Sequence, residues 1–266
     1  MNEGEGEATA QGSWLPEQRR QEIGRRIHAY GRVSVREMAR VLGVSQETVR
    51  RDLETLAERG IVERTHGGAV SPAWAAERTF AEQVRLHAAA KARMADACFE
   101  AIAGARRVVL DAGSSCAALA ARLRELSDLE VVTNNVPAAT TLSAAPGVRV
   151  LLVGGRLRQP TLSLVGDWAT ERLIAYRAEV AVLGTNGLNA QHGLFTPTPE
   201  EAAVKRAMAR AAAEVWVLAD ASKFAARPEG HVFAQWGDVH HLVTESQAPA
   251  REVAAIEAQG VRVHLV

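Results

Sequence analysis

The segment from Val33 to Ala69, VSVREMARVLGVSQETVRRDLETLAERGIVERTHGGA, decides the architecture of the first part of the chain. Apolar residues recur at helical spacing both before and after Gly43, which predicts two short helices joined by a tight turn. Gly43 suits the left-handed residue that commonly ends a helix. Ser45 suits the capping residue that begins the next helix, because its hydroxyl can accept a hydrogen bond from a free backbone N–H.

The second predicted helix leaves a polar face free near its N-terminus. Beside the cap Ser45, this face carries Gln46, Thr48, Arg50 and Arg51. Two helices joined by a short turn, with the second helix free at its N-terminal end, are typical of a helix-turn-helix that reads the major groove of double-stranded DNA.

A short β-wing is predicted to follow, because residues 61–69 alternate between apolar and polar and end in two glycines and an alanine. Arg64 and His66 would then reach DNA phosphates or the minor groove. The alternative is an ordinary helical hairpin, in which the arginines are solvated and Arg51 pairs with Glu47 one turn earlier. The wing and the helix cap together favour the DNA-binding interpretation.

Composition limits the class of protein. A chain of 266 residues with 47% hydrophobic residues can hold a small domain and a medium one. The longest apolar runs are too short for a membrane span and no signal peptide is visible, so we expect a cytoplasmic protein without membrane contact. Cys98 and Cys116 stand in unrelated contexts, which argues against a disulfide or a metal site. We expect no cofactor.

The net charge of the chain supports DNA binding less strongly than the motif does. The net charge is zero, and Ser13–Val70 contains eleven Arg against eight Asp or Glu. Such a small excess cannot hold DNA by a general basic field, so affinity must come from a few placed arginines and from dimerisation. We therefore expect a homodimer or homotetramer.

The chain is predicted to divide into four segments. Residues 1–14 are rich in Gly, Glu and Ala and are expected to be a disordered tail. Residues 15–70 form the small winged helix-turn-helix domain, and residues 71–90 form a linker. Residues 91–266 form an α/β domain with a mostly parallel sheet, because short β-rich runs alternate there with helical segments. The runs are 107–110, 130–133, 149–153, 180–183, 215–218, 241–244 and 262–265, and the helices between them include 116–126 and 200–213.

Small and polar residues follow most of the predicted strands. Ligands of open α/β sheets bind outside the carboxyl ends of the strands, so these clusters should meet in one pocket. The candidate effector-binding residues are Asp111, Gly113, Ser114, Ser115, Asn134, Gly154, Gly155, Asn186, Gly187, Lys205 and Lys223.

The cluster from Asp111 to Ser115 suggests an anion site, because a glycine and the amides of a helix N-terminus favour phosphate. Asp111 would repel a phosphate and is expected to accept hydrogen bonds from sugar hydroxyls. The alternative is a plain turn before a capped helix. Lys223 could pair with a phosphate or sugar oxygen, whereas Lys205 stands one helical turn after Glu201, where a salt bridge is the favoured account.

The sequence resembles the DeoR family of bacterial transcription regulators over nearly all of the chain after about residue 16. The resemblance rests on motifs in both parts of the chain: Val44–Ser45, Thr48–Leu53, Leu56, Gly60, His66–Ala69, Leu110–Ser115, Val132–Asn135, Val153–Gly155, Gly184–Gly187, Glu201–Arg206 and Ala219–Phe224. It implies a sensor domain similar to ribose-5-phosphate isomerase A and glucosamine-6-phosphate deaminase, which responds to a phosphorylated sugar or related metabolite. The family pattern usually reads Asp-x-Gly-Ser-Thr, often with another Thr, where this chain has Ser115 and Cys116, and this departure implies an altered ligand preference.

The leading hypothesis is therefore a transcription regulator, more often a repressor in this family, that is controlled by a phosphorylated sugar and has no catalytic residues. A second hypothesis is a sugar-phosphate isomerase or deaminase with a fused DNA-binding domain, in which Asp111, Glu201 and Lys223 would act as acid or base. A third is a constitutive DNA-binding scaffold whose α/β domain only dimerises.

Overall fold

The structure is a computed structural model, and it describes residues 14–30, 32–72, 78–224 and 230–266. The chain forms two compact units, Met1–Ala76 and Glu77–Val266. The predicted disordered tail lies outside the described residues except for Trp14. The limits predicted for the domains and the linker stay predictions.

The first unit is a winged helix-turn-helix. Its elements are α1 (Pro16–Tyr30), β1 (Arg32–Ser34), α2 (Val35–Leu42), α3 (Gln46–Glu58), β2 (Glu63–Thr65) and β3 (Gly68–Val70). Strand β3 lies between β1 and β2 and pairs with both in antiparallel fashion. The sequence did not predict β1, because three residues are too few to show an alternation. A Cβ at Gly68 would stand 1.9 Å from the Val33 carbonyl oxygen, so glycine lets β1 approach.

The turn between α2 and α3 forms as predicted. Gly43 has a φ of 64° and its N–H donates to the Ala39 carbonyl. Ser45 caps α3, because its hydroxyl accepts a hydrogen bond of 3.1 Å from the Thr48 N–H. The predicted inner face of α3 is buried in the core of the unit, together with residues of α1 and α2; its members are Val49, Leu53 and Leu56.

Buried charge joins α1 to α3. Asp52 is 3% exposed, and its two oxygens accept hydrogen bonds of 2.7 and 3.2 Å from the Arg19 guanidinium. Arg20 lies 3.6 Å from the same carboxylate. This network was not predictable from the sequence, because Asp52 lies among the apolar positions of α3 but is itself charged.

We expect Asp52→Ala to lower the free energy of unfolding of the first unit by about 1–3 kcal/mol. The substitution leaves Arg19 without its buried partner, but both arginines retain some solvent access and can turn outward. Urea unfolding followed by circular dichroism measures the loss. Glu47→Ala is the control, because Glu47 forms exposed pairs worth less than about 1 kcal/mol. Equal losses in the two variants would contradict a structural role for the Asp52 network.

The second unit is an α/β domain. Its described strands are β4 (Arg107–Leu110), β5 (Leu129–Thr133), β6 (Val148–Leu152), β7 (Arg156–Arg158), β8 (Ser163–Val165), β9 (Ala178–Gly184), β10 (Gly187–Asn189), β11 (Gly193–Thr196), β12 (Ala212–Leu218), β13 (His231–Ala234), β14 (His241–Thr244) and β15 (Arg262–Leu265). Its described helices are α4 (Phe80–Arg85), α5 (Ala88–Ile102), α6 (Ser114–Leu123), α7 (Val136–Leu142), α8 (Asp167–Ile174), α9 (Pro199–Arg210) and α10 (Ala250–Glu257).

The predicted parallel sheet is confirmed. Its seven described strands lie in the order β15-β14-β12-β9-β4-β5-β6, and every pair is parallel. Both faces are covered, since Val108 and Leu110 of β4 belong to one core cluster and Val109 belongs to the other. Consequently the carboxyl ends of β4, β5, β9 and β12 open on one edge of the sheet.

One predicted helix boundary differs in the structure. The helix expected over 200–213 ends at Arg210, and Ala212 begins β12, which pairs with β9. An alanine-rich sequence is compatible with both a helix and a strand, so the pairing with β9 decides that the chain is a strand from Ala212 onward. The expected linker, 71–90, contains α4 and the start of α5, while residues 73–77 lie outside the described residues. The β7–β8 hairpin and the antiparallel strands β10, β11 and β13 were not predicted, because their strands are short.

No helix in the described ranges combines the length and the apolar character needed to cross a lipid bilayer.

Candidate functional site

The predicted DNA-reading residues lie on the exposed side of the first unit. Ser45, Gln46, Arg50 and Arg51 are exposed at the start of α3, and Thr48 is half-buried. Arg64 on β2 and His66 in the wing turn are also exposed. This surface is called the reading face below.

The arginines of the reading face form loose ion pairs. Glu47 lies 3.4 Å from Arg50 and 3.7 Å from Arg51, and Arg64 lies 3.8 Å from Glu54. The Arg51–Glu47 pair of the hairpin alternative is therefore present. Exposed pairs of this kind are worth less than about 1 kcal/mol, so they do not prevent the arginines from turning toward DNA.

The second unit has a pocket at the carboxyl ends of its parallel strands. The pocket contains about 740 Å³ of empty space, part of it open to solvent. The structure brings most of the predicted effector residues to its wall, namely Asp111, Gly113, Ser114, Ser115, Asn134, Asn186, Lys205 and Lys223.

Three predicted effector residues lie elsewhere, and each has a place in the fold. Gly155 has a φ of 133°, and a Cβ there would stand 2.6 Å from the Val165 carbonyl oxygen of β8. Gly154 is exposed before β7. Gly187 is buried in β10, opposite Phe195 of β11. The geometry gives no support to a ligand contact by these glycines, because the pocket wall does not include them.

The centre of the pocket is a buried ion pair. Asp111 is 1% exposed, and its Oδ2 accepts hydrogen bonds from the Gly184 N–H at 3.0 Å and from the Lys205 ammonium. Lys205 also donates to the Gly184 carbonyl at 2.9 Å. The salt bridge favoured for Lys205 was with Glu201, so this prediction was wrong. Spacing along α9 could not show that the buried face of the helix directs Lys205 toward the end of β4.

The second carboxylate oxygen of Asp111 forms no hydrogen bond within the described residues. This atom, Oδ1, is buried. The Oδ1 of Asn134 is in the same state, while its Nδ2 donates to the Leu164 carbonyl at 3.2 Å. Both residues line the pocket. Buried acceptors without donors are costly, so this end of the pocket is suited to a ligand that carries hydroxyl groups.

The loop before α6 is held by a residue that the sequence analysis did not select. Gly113 has a φ of 99° at the start of α6. The Nδ2 of Asn135 lies 3.3 Å from the carbonyls of both Asp111 and Gly113, and its Oδ1 caps α7 through Ala138. Asn135 therefore positions the loop, although it was recognised only as part of a polar strand end.

Glu201 also lines the pocket but is engaged by its neighbours. Its carboxylate accepts a hydrogen bond of 3.1 Å from the Thr198 hydroxyl, and the Arg158 Nε lies 3.5 Å away. These contacts are made by buried groups of the same unit. They indicate that Glu201 supports the pocket wall.

Cys116 lies beneath the pocket and is fully buried. Its Sγ is 3.7 Å from the Val182 carbonyl, and burial raises the pKa of the thiol well above its ordinary value. The side chain is not part of the pocket wall. The departure from the family pattern at this position therefore does not place a thiol in the pocket wall.

One wall of the pocket was missed by the sequence analysis. Arg78, Phe80, Gln83 and Lys91 form this side. Lys91 is 3% exposed, and its Nζ lies 2.5 and 2.6 Å from the carbonyls of Gln83 and Leu86. The sequence contains one signal that could have indicated this wall, which is the rarity of lysine. The chain has three lysines, and all of them line this pocket: Lys91, Lys205 and Lys223.

The two units match two known domain models. The DeoR-like helix-turn-helix domain matches residues 19–74, and the DeoR C terminal sensor domain matches residues 86–246. The chain belongs to the DeoR family. Its first unit is thus the DNA-binding domain of a transcription regulator, and its second unit is the DeoR sensor domain, which contains the pocket.

Relatives in this family match along most of their length. The HTH-type transcriptional regulator GlpR of Haloferax volcanii is 33% identical over 94% of this chain and 97% of its own length. The glycerol-3-phosphate regulon repressor of Escherichia coli K12 is 30% identical over 74% of this chain and 79% of its own. The HTH-type transcriptional repressor GlcR of Bacillus subtilis is 29% identical over 82% and 84%.

Among solved structures, ribose 5-phosphate isomerase A of Methanocaldococcus jannaschii is similar over 51% of this chain and 53% of its own. The sequence identity is 15% and the TM-score is 0.38.

Proposed function

We propose that this DeoR-family regulator is a repressor of sugar-metabolism genes and that a phosphorylated sugar or related metabolite in the sensor pocket controls it. The observation that carries the proposal is the composition of the pocket. Cationic side chains and buried, unpaired acceptors line the same cavity, which suits a ligand with both an anionic group and hydroxyl groups. The relatives include a repressor named for the glycerol-3-phosphate regulon, which supports the same ligand class.

The proposed roles follow the chemistry of each group. The Oδ1 atoms of Asp111 and Asn134 accept hydrogen bonds from the hydroxyls of the metabolite, because they lack donors of their own. Lys223 and the amides near Ser114 and Ser115 face its anion. The metabolite then shifts DNA affinity only if it binds the two DNA-binding states of the protein unequally.

An operator-binding titration tests the proposal. DNA selected from a random pool by the purified protein would be titrated with protein in a gel-shift assay, with and without a panel of phosphorylated sugars. We expect at least one phosphorylated sugar, and not its unphosphorylated form, to change operator affinity by about tenfold or more, within the usual range of allosteric coupling. If no phosphorylated compound changes either operator affinity or melting temperature, the scaffold hypothesis replaces this one.

The enzyme hypothesis retains one observation in its favour, which is that Asp111, Glu201 and Lys223 line the same pocket. Glu201 is engaged by its neighbours, however, since its carboxylate accepts from the Thr198 hydroxyl, and one oxygen of Asp111 is held by Lys205. A general acid or base needs access to the proton that it transfers. Incubation of the purified protein with phosphorylated sugars should therefore yield no isomerised or deaminated product, and product formation would favour an enzyme.

We further propose that the regulator acts as a homodimer or homotetramer. The support is the small excess of Arg over acidic residues in its DNA-binding segment, because one such unit would bind DNA weakly. Paired units read half-sites one helical turn or a multiple apart. Light scattering should show at least a dimer, and footprinting should show two or more protected half-sites. A monomer that protects one short site would contradict this proposal.

A further inference from the structure

The parallel sheet of the sensor unit ends in two edge strands, β6 and β15. Within the described residues, β6 pairs with β5 on one side and with no strand on the other. Gly147 and Val153 both bond to the backbone of β5, so every second residue between them also faces β5. Val150 and Leu152 therefore direct their N–H and carbonyl groups away from the sheet.

Apolar side chains surround this free edge. Leu151 and Leu152 are 42% and 46% exposed, although both belong to a strand of the sheet. Trp168 at the start of α8 is 74% exposed and lies at the carboxyl end of β6, because a Cβ on Gly154 would stand 3.9 Å from its ring. The three side chains expose on the order of 400 Å², which is the size of the largest apolar patch on a typical monomer. We call this surface the β6 edge.

The opposite edge of the sheet is better protected. Strand β15 has an exposed Arg262, and Leu265 is its one large, exposed apolar side chain. Charged side chains are a common protection against pairing with another chain. On β6 the corresponding charge, Arg149, is already paired with Glu130. The β6 edge is therefore the one suited to a further strand.

The β6 edge is complementary to itself. In an antiparallel pair, residues that exchange both backbone bonds alternate with residues that exchange none. With Leu151 on a two-fold axis, Val150 of one copy faces Leu152 of the other, and the outward N–H and carbonyl groups of both residues are paired. Leu151 then packs against Leu151 of the second copy. A shift toward the amino end of β6 is disfavoured, because the Val148 N–H already donates to the Ala145 carbonyl at 3.1 Å.

The same register matches the charges at the ends of the edge. Arg149 of one copy lies opposite Val153 of the other, beside the end of β6 where Trp168 is exposed. A guanidinium is attracted to the face of an indole ring. The two Arg149 side chains lie at opposite ends of the paired strands, so they do not repel each other at close range.

We propose that the β6 edge is the dimerisation surface of the sensor unit, where two copies of this chain join their seven-stranded sheets by antiparallel pairing of β6 with β6. This inference rests on the proposed homo-oligomer and names the surface that forms it. A second copy is the occupant because the edge matches itself about a two-fold axis and because one DNA-binding segment alone would bind weakly. Leu151, Leu152 and Trp168 do not line the sensor pocket, so pairing leaves that pocket accessible.

Cross-linking of full-length variants tests the register. Opposite residues of a non-hydrogen-bonded pair have Cα atoms about 4.5 Å apart, which is within the range that a disulfide spans. Leu151→Cys should therefore form a covalent dimer under mild oxidation, seen on a non-reducing gel. Leu152→Cys is the matched control, because it is as exposed but lies two residues from its own copy, beyond the ~7 Å limit for a disulfide. The wild type should not cross-link, since Cys98 and Cys116 are buried.

Light scattering of charged variants tests the surface without new cysteines. Leu151→Glu places two carboxylates directly opposite each other, which is destabilising across paired strands. Its mass should fall to about half that of the wild type, because one two-fold interface is lost. Leu265→Glu is the control on β15, where a leucine that is 54% exposed receives the same charge. The control should keep the wild-type mass, and circular dichroism should show that both variants are folded.

The outcomes separate this inference from the proposed homo-oligomer. Cross-linking of Leu151→Cys alone, together with loss of mass in Leu151→Glu, would support pairing of β6 with β6. An oligomeric wild type with equal or no cross-linking of the two cysteine variants, or with unchanged mass in Leu151→Glu, would overturn the β6 edge while the homo-oligomer stands. A monomeric wild type would overturn both. The gel-shift response to phosphorylated sugars is measured separately and decides the effector.

Discussion

Arg51→Ala is expected to weaken specific operator binding by about 1–3 kcal/mol, the usual cost of losing a good contact to a base edge. Arg51 projects from the first turns of α3, its side chain is 78% exposed, and its pair with Glu47 is loose at 3.7 Å. The guanidinium is therefore free to enter the major groove. Gel-shift titrations at fixed salt would measure the loss for the selected operator and for unrelated DNA.

Two further substitutions make this result specific. Arg59→Ala removes the same charge from the opposite end of α3, where Arg59 bonds to Glu17 at 3.3 Å, and should leave operator specificity unchanged. Arg64→Ala in the wing should weaken operator and unrelated DNA alike and should lower the salt dependence of binding, as expected for a phosphate contact. Equal operator binding by the wild type, Arg51→Ala and Arg64→Ala would show that the reading face is misplaced.

Much of the fold could be predicted from local sequence. The turn needed Gly43 to adopt a positive φ and Ser45 to cap α3, and both residues do so because the requirements are local. The parallel sheet was predictable because its strands form apolar runs buried on both faces. Strands of three or four residues, such as β1 and β7, depend on partners far along the chain and leave no period in the sequence.

The pocket was predictable only in part, for the same reason. Residues that directly follow a buried strand, such as Asp111 and Asn134, were found because parallel strands end at one edge. The partner of Lys205 could not be found from spacing on α9, since it lies 94 positions away in the chain. Lysine is rare in the chain, which could have drawn attention to Lys91, but nothing local shows that its segment forms a wall of the pocket. Tertiary contacts determine these features.

Asp111→Ala is expected to destabilise the sensor unit by about 3–5 kcal/mol, because it leaves the buried ammonium of Lys205 without its carboxylate. This expectation differs from that for a residue that contacts only the ligand, whose removal would leave the unliganded protein intact. Lys205→Met should cost a similar amount, since Asp111 would keep the Gly184 N–H as its one donor. Urea unfolding followed by tryptophan fluorescence suits the measurement, because Trp216 and Trp236 are buried in this unit.

The double variant Asp111→Ala with Lys205→Met decides whether the pair acts as a unit. Removing both charges leaves no uncompensated ion, so the double variant should be more stable than the sum of the two single losses predicts, by about 1–3 kcal/mol. Additive losses would mean that each group acts alone.

The double variant also separates folding from ligand recognition. It should keep a folded sensor unit and bind operator DNA, yet lose the response to a phosphorylated sugar, because the unpaired Asp111 oxygen that accepts the sugar hydroxyl is gone. A wild-type response in this variant would confine Asp111 to a structural role beneath the pocket.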